Sequence, residues 1–255
     1  MESRKKKKIS QLKLQLKWVT NTINYMDLEL ETNTNSSSDS KSPLLTIKNL
    51  CHNFDYPLFE NINLTLSPQE SIAIIGASGC GKSTLLNIVS SLLKPISGEV
   101  QYKNNDIYKL SNNELTKIRR DEFGIVFQSH YLFRGFNTLE NLQISELLSS
   151  NEIDYTLLKH LKIDHIMNQG IGEISGGQQQ RLSIARILNK KPQVIFADEP
   201  TGNLDKETAG EVMNVVFDYL LKEKAGMILV THEIELANQC NKVYKLNNKT
   251  LERIK

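Results

Sequence analysis

The sequence predicts an α/β fold with a parallel β-sheet at its centre, and three observations predict it. A glycine-rich loop at residues 76–84 stands between an apolar, β-branched segment and a helix-forming one. Two further apolar segments, at residues 194–197 and 227–230, are typical of buried parallel strands. Ahead of the loop, residues 45–50 and 62–66 alternate apolar and polar side chains, as half-buried antiparallel strands do. We therefore expect a parallel core preceded by an antiparallel sheet.

The composition is that of a globular protein. The 255 residues are 39% hydrophobic, which is enough for a sizeable core, and the net charge of +2 does not by itself indicate nucleic-acid binding. No apolar run approaches the roughly 18 residues of a membrane span. The cysteines Cys51, Cys80 and Cys240 show no C-x-x-C spacing, so they indicate neither a disulfide framework nor a zinc site. A soluble protein of the reducing cytosol is the simplest expectation.

Residues 1–43 differ from the rest, and we expect them to form an extension outside the folded domain. Seven Lys and Arg residues against one Glu give the first 17 positions a local net charge of +6. Apolar residues then recur at helical steps, which predicts either a basic amphipathic helix for an anionic membrane or a partner, or a solvated tail. A Ser- and Asn-rich linker is expected at residues 32–43. A further interpretation is that Met26 is the true start.

The loop at residues 76–84 reads G-A-S-G-C-G-K-S-T, and its position after a strand and before a helix is that of a phosphate-binding P-loop. Its glycines let the backbone aim N–H groups at a phosphate, and the helix N-terminus adds a partial positive charge. Lys82 is expected to reach the β- and γ-phosphates, Ser83 to bind Mg²⁺ and Thr84 to donate to the α-phosphate. The predicted nucleotide-binding loop comprises Gly76, Ala77, Ser78, Gly79, Cys80, Gly81, Lys82, Ser83 and Thr84.

Between this loop and the next glycine-rich segment, the sequence predicts two strands and several helices. Residues 98–102 are expected to form an edge strand, and a capping box at residues 111–114 predicts the start of a basic helix. Residues 123–127 are expected to form a short buried strand that leads to Gln128. From residue 137 to about residue 162 the apolar residues recur at helical spacing, which predicts an inserted helical region.

A second helix start with two glycines follows at residues 174–181, I-S-G-G-Q-Q-Q-R, and this helix is expected to end before Pro192. Ser175 stands at the N-cap position, and the glycines leave backbone N–H groups accessible. A simple cap is the plainer interpretation, but it does not explain two successive glycines. We therefore predict a second anion site here.

Acidic residues and a histidine follow the two apolar strands after this helix. Asp198 and Glu199 come directly after the first of these strands, and His232 follows the second. Because ligands bind at the carboxyl ends of parallel strands, these side chains are expected near the P-loop. Asp198 can hold Mg²⁺ through its water shell, Glu199 can polarise water for attack on a γ-phosphate, and His232 can contact that phosphate. A hairpin is expected to close the domain at residues 243–254.

In this order the segments resemble the ATP-binding cassette (ABC) family over residues 44–255. The resemblance implies a P-loop NTPase cassette with a RecA-like core, an antiparallel β subdomain and an inserted α-helical subdomain at about residues 129–180. The matching motifs are Walker A at residues 76–84, the Q-loop glutamine Gln128, the signature at residues 174–181, Walker B at residues 194–199, the D-loop at residues 202–205 and the switch histidine His232.

The resemblance also implies a head-to-tail homodimer that hydrolyses two ATP molecules, each held between the P-loop of one subunit and the signature of the other. Phe54 stands where the family often has a tyrosine that stacks on adenine, and Tyr56 is the alternative. The implied catalytic residues are Lys82, Gln128, Glu199 and His232. The implied Mg²⁺ ligands are Ser83, Gln128 and Asp198. The implied ATP contacts beyond the P-loop are Phe54, Gln128, Ser175, Gly176, Gly177, Gln178 and Asp205.

Within the family, the motifs resemble those of the lipoprotein-release, macrolide-efflux and cell-division ATPases. This implies integral-membrane permease subunits as partners and a peripheral location on the cytoplasmic face of the inner membrane, with no nucleic acid expected. Ile174 replaces the usual leucine, Glu233 replaces the common aspartate, and the expected proline before the signature is missing.

Three alternatives to transport remain. They are a cell-division-type signalling complex, a cytosolic ABC ATPase acting on ribosomes or DNA, and a protein that binds ATP without hydrolysing it. The basic extension keeps the second alternative open. The presence of both Glu199 and His232 disfavours the third.

Overall fold

The computed structural model describes residues 42–255. The predicted amphipathic segment and Met26 lie outside the described residues. So does the predicted linker, apart from its last two residues, Ser42 and Pro43.

The first sheet is antiparallel, as its alternating sequence predicts. Its strands are β1 (Leu45–Asn53), β2 (Pro57–Leu66), β4 (Ser97–Tyr102) and β5 (Asn105–Asp106). They lie in the order β2-β1-β4-β5, so β1 is central and pairs with both β2 and β4. The prediction that residues 98–102 form an edge strand is wrong, because the two-residue β5 pairs along the outer side of β4.

The second sheet forms the core. Its strands are β3 (Ser71–Ile75), β6 (Phe123–Val126), β7 (Val194–Asp198), β8 (Gly226–Val230), β9 (Lys242–Asn247) and β10 (Thr250–Arg253). Their order is β10-β9-β3-β8-β7-β6, and neighbours are parallel except for the final β9–β10 hairpin. Asn248 and Lys249 form the hairpin turn with φ of 46° and 66°, as a type I′ turn requires. The predicted parallel core and hairpin are confirmed.

Seven α-helices connect the strands of the described region. They are α1 (Lys82–Val89), α2 (Asn112–Asp121), α3 (Thr138–Ser149), α4 (Tyr155–His160), α5 (Gly176–Leu188), α6 (Lys206–Glu223) and α7 (Ile234–Gln239). The predicted capping box before α2 is present, with Ser111 and Glu114 as its members. Two short 3-10 turns, Asp164–Ile166 and Ile171–Glu173, complete the predicted helical insertion.

The parallel sheet is buried on both faces. Ile72 and Ile74 of β3 pack into a cluster shared with α1 and the antiparallel sheet, whereas Ala73 packs into a second cluster shared with α5 and α6. Each isoleucine side chain buried in this way contributes about 1.5–3 kcal/mol relative to exposure. Because helices and the antiparallel sheet cover both faces of the parallel sheet, its strand ends are the parts of it that solvent can reach.

Candidate functional site

A cleft of about 450 Å³ lies at the carboxyl ends of β3, β7 and β8. This is where an open parallel sheet binds its ligands. The residues that line it are Phe54, Tyr56, Leu58, Gly76, Ser78, Gly79, Gly81, Lys82, Ser83, Thr84, Gln128, Asp198, Glu199, Val230 and His232. The cleft therefore brings together most of the predicted P-loop, both predicted strand-end acids and the predicted histidine.

The glycine-rich loop has the backbone geometry that its sequence predicts. Gly81, directly before α1, has a φ of 101°, which side chains rarely tolerate. A Cβ on Gly76 would lie 2.5 Å from the carbonyl oxygen of Leu246, so this position also requires glycine. No side chain of the described residues caps the start of α1. The first N–H groups of the helix are thus left for a ligand at the cleft, where the helix dipole favours an anion.

Lys82 places its positive charge at the mouth of this loop. Its Nζ donates hydrogen bonds to the carbonyl oxygens of Gly76 at 3.0 Å and Ala77 at 2.9 Å. Neither acceptor is charged, so the ammonium group keeps its attraction for phosphate oxygens. Cys80 belongs to the same loop, and its thiol is free. In the described part of the chain, Cys51 and Cys240 are free thiols as well.

Ser83, next to Lys82, and Asp198, at the end of β7, bring two side-chain oxygens into the same cleft. The Ser83 hydroxyl is hydrogen-bonded to the Asp198 carboxylate. Burial raises the pKa of Asp198, while this hydrogen bond and the charge of Lys82 lower it and the charge of Glu199 raises it. A half-buried carboxylate beside a hydroxyl fits Mg²⁺, which takes oxygen ligands and needs only one or two from the protein.

Glu199 and His232 meet at the ends of adjacent strands. His232 Nδ1 lies 2.8 Å from Glu199 Oε1, and the Glu199 side chain is 14% exposed whereas that of His232 is 71% exposed. The hydrogen bond to this carboxylate raises the pKa of His232. Because an ionised carboxylate only accepts hydrogen bonds, Nδ1 is the donor and Nε2 is directed elsewhere. Glu199 has a φ of 47°, a left-handed conformation that is strained for a non-glycine residue.

Two aromatic side chains also contribute to the cleft. Phe54 is 57% exposed and Tyr56 is 61% exposed, and both line the cleft. The ring of the buried His52 meets Phe54 edge-on, with a centroid distance of 4.9 Å. Phe54 therefore has a packed support, while both aromatics present a face large enough to stack on a base.

Besides Ala77 and Cys80 of the loop, five predicted site residues lie outside the lining of this cleft. Ser175 caps α5: its Oγ accepts from the Gln178 amide at 3.2 Å, and Gln178 Oε1 accepts from the Ser175 amide at 2.8 Å. Asp205 caps α6 by accepting from the Thr208 amide at 2.9 Å. The predicted residues that do not line the cleft in the described chain, apart from Ala77 and Cys80 of the loop, are Ser175, Gly176, Gly177, Gln178 and Asp205.

Parallel strands that end in a glycine-rich loop, two acids and a histidine define a P-loop nucleotide-binding protein. The family described as ABC transporter matches residues 59–202, and the chain belongs to this family. It is an ABC transporter ATP-binding subunit and an ATPase. The resemblance and the fold class expected from the sequence are confirmed.

Relatives and solved structures agree with this assignment. The lipoprotein-releasing system ATP-binding protein LolD of Rickettsia bellii is 39% identical over 82% of this chain and 97% of its own. LolD of Bdellovibrio bacteriovorus is 37% identical over 75% of this chain and 90% of its own. A solved dimeric ATP-binding cassette in a post-hydrolysis state, bound to ADP and Pi, matches with a TM-score of 0.75 and 32% identity over 82% of this chain and 97% of its own.

Sequence reasoning missed two polar residues that contact the site residues. His52 supports Phe54, and Thr231 donates a hydrogen bond to Glu199. The alternation of β1 places His52 on the buried face, but burial does not reveal an aromatic contact. The sequence does contain a signal for the role of Thr231, because it is a hydroxyl residue at a strand end, directly before His232.

Proposed function

We propose that this chain binds MgATP in the cleft, hydrolyses it as half of a head-to-tail homodimer, and energises an integral-membrane permease of the lipoprotein-release type. The observation that carries the catalytic part is the placement of the Glu199 carboxylate. It faces the cleft that also holds Lys82, Ser83 and Asp198, and His232 contacts one of its oxygens. The proposed location is peripheral, on the cytoplasmic face of the inner membrane.

The cleft supports a consistent placement for each part of ATP. The backbone N–H groups of residues 76–84 and the start of α1 surround the β- and γ-phosphates, and Lys82 moves from the loop carbonyls to the phosphate oxygens. The adenine stacks on Phe54 or on Tyr56. Thr84 donates to the α-phosphate. Ser83 and Asp198 would hold Mg²⁺, and Gln128, the third proposed ligand, lines the same cleft.

Hydrolysis requires a base for water and support for the charge that develops on the γ-phosphate. Glu199 accepts a hydrogen bond from the attacking water and takes its proton. His232, with Nδ1 donating to Glu199, directs Nε2 toward the γ-phosphate, and its raised pKa favours a protonated ring that donates there. Bound Mg²⁺ neutralises phosphate charge. The strained backbone at Glu199 is the type of outlier found at functional sites.

The dimer is supported by the residues that do not line the cleft. At the start of α5, Ser175 is exposed and Gly177 is partly exposed, and in the proposed dimer they approach the γ-phosphate bound to the other subunit. Asp205, in the D-loop, does not line the cleft of its own chain either, and in the proposed dimer it lies at the boundary between the two subunits. The solved relative bound to ADP and Pi is dimeric, which supports this arrangement.

The membrane partner is supported by the relatives, which are ATP-binding proteins of lipoprotein-releasing systems. Among residues 42–255, no helix has both the length and the apolar character needed to cross a bilayer. The proposal therefore places the membrane-spanning part in a separate subunit. Affinity purification of the tagged chain from detergent-solubilised membranes should recover a polytopic membrane protein. Its recovery with ribosomes or DNA instead would contradict the transport assignment.

The catalytic proposal is tested by Glu199→Gln, which keeps the side-chain shape and removes the charge. ATP affinity should stay within about twofold, turnover should fall by roughly 100-fold or more, and ATP-bound dimers should accumulate on size exclusion. The NMR titration of His232 provides a second readout. Since the Glu199 hydrogen bond raises the pKa of His232, the variant should lower that pKa. Near-normal hydrolysis by the variant would refute the assigned role of Glu199.

A further inference from the structure

Thr231, at the end of β8, is fully buried and contacts the Glu199 carboxylate. Its Oγ1 lies 3.3 Å from Glu199 Oε2, while His232 Nδ1 lies 2.8 Å from the other oxygen, Oε1. Each carboxylate oxygen of Glu199 thus has its own partner, and the two partners are neighbours in the sequence. Because both oxygens are hydrogen-bonded, the orientation of the carboxylate plane is fixed.

The direction of the Thr231 hydrogen bond follows from its other contact. The backbone N–H of Glu233 donates to Thr231 Oγ1 at 3.0 Å. A hydroxyl has one hydrogen, and an amide N–H can only donate, so this contact occupies an acceptor position on Oγ1. The hydroxyl hydrogen remains for Glu199 Oε2, which as a carboxylate oxygen only accepts. The Glu233 amide therefore orients the hydroxyl of Thr231 as a donor to Glu199.

Further hydrogen bonds fix the backbone on which this contact depends. The Glu199 amide donates to the Val230 carbonyl at 2.9 Å. The buried Thr201 donates from Oγ1 to Glu233 Oε1 at 3.1 Å. Glu233 stands where the family commonly has the shorter aspartate. With the two contacts to the Glu199 carboxylate, four hydrogen bonds thus join the segment after β7 to the end of β8 and the residues that follow it. This frame opposes the relaxation of Glu199 from its left-handed backbone conformation.

We propose that Thr231 is a positioning residue for hydrolysis, which holds the Glu199 carboxylate in the plane that it needs to orient water. This inference rests on the proposed role of Glu199. Thr231 is buried and does not line the cleft, so it acts through Glu199 and not on ATP itself. Each carboxylate oxygen has two lone pairs, so one on each oxygen remains free for the water while Thr231 and His232 occupy the others.

The test compares variants of similar size that lack the hydroxyl with a smaller variant that keeps it. Thr231→Val replaces the hydroxyl with a methyl group, and kcat should fall about tenfold or more with the KM for ATP within about twofold. Thr231→Ser retains the hydroxyl and should recover most of kcat. Thr231→Cys keeps a similar size with a weak donor, and it should resemble the valine variant. The cysteine variant keeps the test decisive if the valine variant does not fold.

Thr138→Val is the matched control, because Thr138 is also fully buried and donates to a carbonyl, that of Gln169 at 3.2 Å, on α3 outside the cleft. It should lose some stability with kcat unchanged. The proposal is overturned if Thr231→Val lowers kcat no more than Thr138→Val, or if serine does not restore it. The role of Glu199 is judged separately: turnover that survives Glu199→Gln refutes that role, whereas loss of turnover there with normal Thr231→Val activity refutes only the positioning role.

Discussion

The starts of α1 and α5 are both glycine-rich, yet their first backbone N–H groups differ in their hydrogen-bond partners. At α1, Gly81 takes a left-handed conformation, and no side chain of the described residues caps the helix. At α5, Ser175 and Gln178 form a complete capping box. The α1 start lines the cleft, and the α5 start does not. One helix start thus leaves its N–H groups to a ligand, while the other satisfies part of its own.

This difference indicates separate tasks for the two helix starts. In the proposed site, a polyphosphate completes the hydrogen bonding of the α1 start, so the proposal assigns nucleotide binding within one chain to it. The α5 start is stable without a nucleotide because its cap is internal. It is therefore free to act as a surface, and in the proposed dimer it completes the site of the other subunit. Changes at the two starts should then affect different steps of the reaction.

The largest expected effect follows from removing the cation at the α1 start. Lys82→Ala should weaken ATP binding roughly 100-fold, because charge-assisted hydrogen bonds to phosphate are lost. The folded state should change little, since Lys82 donates only to two loop carbonyls. Equilibrium binding of ATP measures the effect. Lys48→Ala, at an exposed position of β1 outside the cleft, is the control and should bind as the unaltered protein does.

A smaller effect, on a different step, is expected at the α5 start. Ser175→Ala should leave ATP affinity at low protein concentration unchanged and lower turnover roughly tenfold. Loss of the cap should also cost about 1 kcal/mol of stability, measurable by denaturant unfolding. Weakened ATP binding by the isolated chain would contradict the division of tasks between the two helix starts.

The sequence predicts the fold and the cleft where local pattern determines the structure. The P-loop, the strand-end acids, the capping box of α2 and the Ser175 N-cap of α5 are encoded within a few residues, and the structure places them as expected. The edge assignment of β4 was wrong because β5 has only two residues, too few to show a strand pattern. The helix α6 was not predicted, although its buried residues Val212, Val216 and Leu220 recur at steps of four.

Contacts between distant segments could not be predicted in the same way. Thr231 and Glu199 are 32 positions apart, and their hydrogen bond depends on the register of β7 against β8. The same holds for Thr201 and Glu233. Register fixes which side chains meet at the sheet edge, and it becomes visible only when the strands are paired.

The central claim, that each ATP site combines the P-loop of one subunit with the signature of another, is tested by mixing two inactive variants. Lys82→Ala inactivates a P-loop, and Ser175→Arg places a long side chain where the phosphates of the other subunit would lie. A head-to-tail heterodimer of the two has one site with both changes and one site with neither. Co-expressed chains with distinct tags should therefore form heterodimers that recover up to about half of the normal ATPase activity per dimer. Purified heterodimers with no more activity than either variant alone would contradict the shared site.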